Sequence, residues 1–124
     1  MPSEDEVLAF AAASTGSVWA VELMLLLKRA APRAWSKNAL IRESRSSEGV
    51  VAEALKQLQA AGIVVADEAA GYRYQPVSEA IAALVEGLER IYLAKPAAVV
   101  RAIVTAPNRR LRIFSDAFKL KDPK

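Results

Sequence analysis

With 124 residues, no cysteine and no histidine, the chain has the size of one domain. It lacks the side chains for disulfides, thiolate or imidazole metal sites, and Cys/His or Ser/His nucleophile pairs. Its hydrophobic content of 53% is rich in alanine, with few aromatics and only 5 Gly and 6 Pro, and this favours a mostly α-helical fold with a core of Leu, Ile, Val and Ala. The net charge of +3 is unevenly spread: residues 1–67 hold 7 Lys and Arg against 8 Asp and Glu, whereas residues 108–124 hold 6 against 2.

Ser3 and Glu6 have capping-box spacing, and Glu4, Asp5 and Glu6 suit the positive end of a helix dipole, which predicts a helix over about 4–14. Gly16 ends it, and Ser17 caps a second helix of about 18–31 that is apolar nearly all round and therefore expected at the centre of the fold. Pro32 stops that helix. Trp19 and Trp35, beside apolar helices, are expected in the core, with the lining of a ligand pocket as the alternative.

Ser36 caps a short helix, about 37–43, with Ala39, Leu40 and Ile41 facing inward, and Ser44-Arg45-Ser46 forms a tight turn. The next helix, about 47–61, carries Val51, Leu55 and Leu58 at i, i+4, i+7, and Gly62 terminates it. The periodicity then changes. Ile63-Val64-Val65 and Tyr72-Arg73-Tyr74 read as a two-stranded hairpin around a loop of about five residues at 67–71. The tyrosines are expected to pin it to the helices, base stacking being the other use of such rings.

Ser78 caps a helix of about 79–94 with an unbroken stripe of Ile81, Leu84, Val85, Leu88, Ile91 and Tyr92. On the same helix Ala80, Ala83 and Gly87 predict the close approach of another helix, either from this chain or from a dimer mate. Pro96 starts a further helix with Val99, Val100, Ile103 and Val104, ending before Pro107. Asn108 caps a last one, to about Phe118.

A central helix, a short helix, a tight turn, a second helix ending in glycine and a hairpin are the ordered parts of a winged helix-turn-helix domain. The run Trp35-Ser36, Leu40, Ser46-Ser47, Val51, Ala54-Leu55, Leu58, Gly62-Ile63-Val64 resembles that of MarR-type bacterial transcriptional regulators, over roughly 17–76. The resemblance implies a single domain with a winged-helix core at 17–76 and a helical extension at 77–124, a recognition helix at 47–61 for the major groove of double-stranded DNA, and a homodimer. Carried over by residue, Arg45, Ser46 and Ser47 would meet phosphates at the helix entry, Lys56 and Gln57 would reach base edges, and Arg73 would touch the backbone from the wing.

The charges depart from that pattern. Glu53 stands in the middle of the outward face of the recognition helix, and Asp67 and Glu68 occupy the wing loop, where phosphates would be repelled. The alternative is a winged-helix protein–protein interaction module that does not bind DNA. In either case the basic segment with Arg109, Arg110, Arg112, Phe114 and Phe118 is a candidate docking surface for an acidic partner, nucleic acid or an anionic membrane surface, or else a C-terminal helix docked by its apolar side.

Catalytic residues, a cofactor and a metal are not expected: no carboxylate pair sits in contrasting surroundings, and no Gly-rich phosphate loop or G-x-S-x-G turn occurs. The longest apolar stretch, 18–27, is interrupted by Glu22 and is shorter than a membrane span, and the acidic start is unlike a secretory signal. A cytoplasmic setting is the expectation.

Overall fold

Local capping chemistry sets where the helices begin. Ser3 Oγ accepts from the Glu6 N–H at 3.1 Å while a Glu6 carboxylate oxygen accepts from the Ser3 N–H at 2.8 Å, completing the capping box of α1, Glu4–Ser14. Ser17, Ser36, Ser47 and Ser78 likewise accept from the backbone three residues on, opening α2 (Val18–Ala30), α3 (Lys37–Ser44), α4 (Glu48–Ala60) and α5 (Glu79–Ala94). Pro96 supplies the first turn of α6, Pro96–Val104. This computed structural model describes residues 2–105, so the helix expected from Asn108 lies outside them.

The chain is mostly helical with a small antiparallel hairpin, β1 (Val64–Asp67) and β2 (Gly71–Tyr74), in the winged helix-turn-helix order α2–α3–turn–α4–β1–β2 followed by two further helices. Val51, Leu55 and Leu58 of α4 are at most 2% exposed, and α4 packs chiefly on α2, with α3 and β1 alongside. Gly62 takes φ +78°, a left-handed conformation that side chains disfavour, and this breaks α4 before Ile63 enters the core. Of the three residues expected to face inward from α3, only Leu40 is fully buried, with Ala39 and Ile41 half-buried at its flanks.

The hairpin is longer and its loop shorter than the sequence suggests. Pairing runs from Val64 opposite Tyr74 out to Asp67 opposite Gly71, leaving a loop of 68–70. Asp67 closes it, one carboxylate oxygen accepting from the Ala69 N–H at 2.9 Å. Trp35, in the stretch between α2 and α3, adds an isolated bridge to the edge of the hairpin: it exchanges two 2.7 Å backbone hydrogen bonds with Tyr72. Tyr72 and Tyr74 lean on the helical core, as a two-stranded ribbon requires for stability.

The helices α1, α5 and α6 pack on one another beside the winged-helix part. Gly87 is the point of close approach: a Cβ there would lie 2.8 Å from a methyl of Val7, so the neighbour implied by the small residues is α1 of the same chain. Among the described residues, buried side chains from all six helices belong to one cluster. Polar contacts join α5 to α2: Lys28 Nζ lies 2.7 Å from Glu89 and 3.2 Å from Glu86, and Arg29 Nε lies 3.4 Å from Glu89. The Lys28 hydrogen bond holds the Glu89 carboxyl below its ordinary pKa despite partial burial. Burial acts to lower the Lys28 pKa, but its bonds to Glu89 and Glu86 outweigh this and raise it.

Among the described residues no single helix is long and apolar enough to cross a membrane; α1 and α2 together have the length but are bent by 104° at their junction.

Gly71 has φ +109°, and a Cβ on it would sit 2.1 Å from the Trp35 carbonyl oxygen. Gly71→Ala should therefore destabilise the fold by about 2 kcal/mol or more, read as a lower urea midpoint. The Glu89 pair predicts a pH effect. Because the folded pKa is depressed, its stabilisation is present above the ordinary carboxyl range and is lost as pH falls through the folded value. Wild type should exceed Glu89→Gln in stability at neutral pH, and the gap should close on acidification. A gap unchanged at acid pH would contradict the pairing.

Candidate nucleic-acid interface

Helix α4 buries one face and exposes the other. Opposite Val51, Leu55 and Leu58 runs a stripe of Gly49, Glu53, Lys56 and Ala60, all exposed, at the i, i+4, i+7, i+11 spacing of one helix face. At its N-terminal end the turn is made by Arg45, whose φ of +57° is unusual for a residue with a side chain and reverses the chain between α3 and α4. Arg45 is exposed. Ser46 is half-buried, its hydroxyl 3.5 Å from the Ser44 carbonyl, and the Ser47 oxygen already accepts from the Val50 N–H at 3.2 Å.

The structure thus brings Arg45, Ser46 and Ser47 together at the entry of α4 and puts Lys56 two turns further along the exposed face. The other two candidate contacts are engaged within the chain. The Gln57 amide donates to Glu53 at 3.2 Å. Arg73, on β2, donates from Nε to Gln75 at 3.0 Å, and its Nη1 lies 3.9 Å from Asp67. The wing cation is therefore partly neutralised by a wing acid. Arg109, Arg110, Arg112, Phe114 and Phe118 lie outside the described residues.

A second feature borders this face. Trp35 is buried as expected, 9% exposed, with the Arg33 guanidinium 4.1 Å above its ring, but Trp19 is 58% exposed. The expectation that Trp19 belongs to the core fails because α2 is not packed on all sides. Trp19, Glu22, Leu26 and Arg29 share the i, i+3, i+7, i+10 stripe that points away from its buried residues. Glu22 and Arg29 on the same stripe as Trp19 were the available signal, and the nine apolar residues of 18–27 masked it. This open stripe, the end of α3 and the start of α4 enclose a groove of about 600 Å³. A smaller hollow of about 240 Å³ continues it past Trp19 to Gly49, Glu53 and Gln57.

The groove is tied to α5 as well. The Tyr92 hydroxyl donates to a Glu22 carboxylate oxygen, and this bond, reinforced by partial burial, pushes the phenol pKa up to about 12. No group of three or more Asp and Glu side chains among the described residues is placed to hold a metal ion. No family model, curated protein or solved structure matches the chain.

Exposure of Trp19 beside carboxylates has an optical consequence. In Trp35→Phe, whose emission comes from Trp19 alone, acrylamide should quench strongly and caesium ion should quench better than iodide. In Trp19→Phe the remaining Trp35 should be shielded from all three. Equal shielding of the two rings would contradict the groove geometry.

Proposed function

We propose that this chain is a winged-helix DNA-binding transcriptional regulator, similar to the MarR type, that lays α4 in the major groove of double-stranded DNA. The observation that carries the reading is the one-sided packing of α4. Its inner face is fully buried, while its outer face, with Arg45 at the entry and Lys56 in the body, stands free next to a hairpin wing. A helix of 13 residues is about 20 Å long, and the major groove admits one helix. Phosphates would meet Arg45 and the hydroxyls of Ser46 and Ser47 at the positive end of α4, and Lys56 would face base edges. Pairing as a homodimer would offer two such helices to successive turns of the duplex, and Leu93, Val100 and Val104, exposed on α5 and α6, are apolar surface for that contact.

Charge favours a second reading. Residues 2–105 carry eleven Lys and Arg against twelve Asp and Glu, and Glu53, Asp67 and Glu68 are all exposed, on the outer face of α4 and on the wing. On this reading the same surface is a protein–protein interaction module, and the basic residues 108–124 serve an acidic partner.

Fluorescence anisotropy with random duplex DNA across a salt series separates the two. A regulator should bind at low salt, with log Kobs falling against log salt at a slope of about −2 or steeper, and Arg45→Ala should make that slope shallower by about one. Glu53→Gln should tighten binding about threefold by removing a negative charge from the contact face. Absence of binding at low salt would eliminate the regulator and leave the interaction module.

A further inference from the structure

We infer that the groove between α2 and α4 is a binding site for a planar aromatic cation. Its volume, about 600 Å³, lies within the range of small-molecule sites. Val18, Leu23, Leu26, Val50 and Ala54 make the walls apolar. The Trp19 ring stands at the lip, where its 58% exposure leaves a face open for stacking. An exposed indole beside apolar walls is the preferred partner of a flat cation, since the ring quadrupole attracts positive charge.

The sign of the ligand charge follows from the carboxylates. Glu22 and Glu43 line the groove and Glu53 lines its extension. Among the described residues none of the three forms a salt bridge. Among the described residues the only cation in the lining is Arg29, and its guanidinium is turned to Glu89 on α5, 3.4 Å away. Tyr92 donates to one Glu22 oxygen, leaving the other for a ligand. An anion would therefore meet uncompensated negative charge, whereas a cation is attracted by two flanking carboxylates and the indole face. This site shares Ser46 and, through its extension, Glu53 and Gln57 with the candidate DNA face, but its argument does not rest on DNA binding and goes beyond that proposal.

The test uses the full chain and 10-methylacridinium, a tricyclic aromatic cation, with acridine as its control in mildly alkaline buffer, where acridine is uncharged. Binding is followed through mutual quenching of acridinium and tryptophan emission. The cation should bind saturably and about tenfold more tightly than acridine. Trp19→Ala should weaken it about fivefold. Glu22→Gln and Glu43→Gln should each weaken it about threefold, and together about tenfold. Glu43 is exposed and makes no side-chain hydrogen bond among the described residues, so its variant keeps the test valid if Glu22→Gln perturbs the Tyr92 contact; helical circular dichroism checks each variant. Failure to saturate at millimolar cation, equal affinity for acridine, or affinity unchanged in Trp19→Ala and Glu43→Gln would overturn the assignment.

Discussion

The seam between α4 and α2 is the contact on which the rest of the molecule depends. Val51, Leu55 and Leu58 lie along one side of α4 and are almost wholly withdrawn from water. Truncating a buried leucine to alanine typically destabilises a protein by about 2–5 kcal/mol, against a total stability of about 5–15 kcal/mol for a domain. This seam therefore fixes the direction of α4, and with it the stripe that α4 exposes. The hairpin follows directly behind α4 through Gly62 and is anchored by Ile63 and Val64, so its position depends on the same seam.

Two consequences for function come from one geometrical fact, that α2 is packed over only part of its circumference. Where it meets α4 it holds up the candidate DNA-reading face. Where it stays open, with Trp19, Glu22, Leu26 and Arg29, it forms the wall of a groove. The polar contacts Lys28–Glu89, Arg29–Glu89 and Tyr92–Glu22 then tie α2 to α5, so α5, the groove and α4 all meet on one central helix. Electrostatics weighs differently on the two surfaces. Acidic groups oppose phosphate binding on the outward face of α4 and on the wing, and the same type of group favours a cation in the groove.

The helices were legible in the sequence because their signals are local. A serine three residues before the amide it caps, a stripe at i, i+4, i+7, and a glycine at the end of a helix act within a few residues of each other, and the structure has them at Ser3, Ser17, Ser36, Ser78 and Gly62. The core face of α4 and the close approach at Gly87 were legible for the same reason, since helical spacing alone places those side chains on one face. Much of the candidate interface was also legible as positions: Arg45, Ser46, Ser47 and Lys56 stand at the turn and on the free side of α4.

What those positions can do was decided only by the tertiary structure. Arg73 lies next to Asp67 and Gln57 bonds Glu53; a residue type reveals that a side chain has donors but not which acceptor lies within reach. Trp35 joins the hairpin through backbone atoms, which every residue carries, so no side-chain pattern could announce it. Trp19 faces outward because the other helices cover only some of the apolar sides of α2, and which sides they cover depends on partners far along the chain. The sequence by itself determined where elements start, stop and turn an apolar face. The choice of which face is covered, and which charges are left unpaired, required the packed chain, because both depend on contacts between residues distant in sequence.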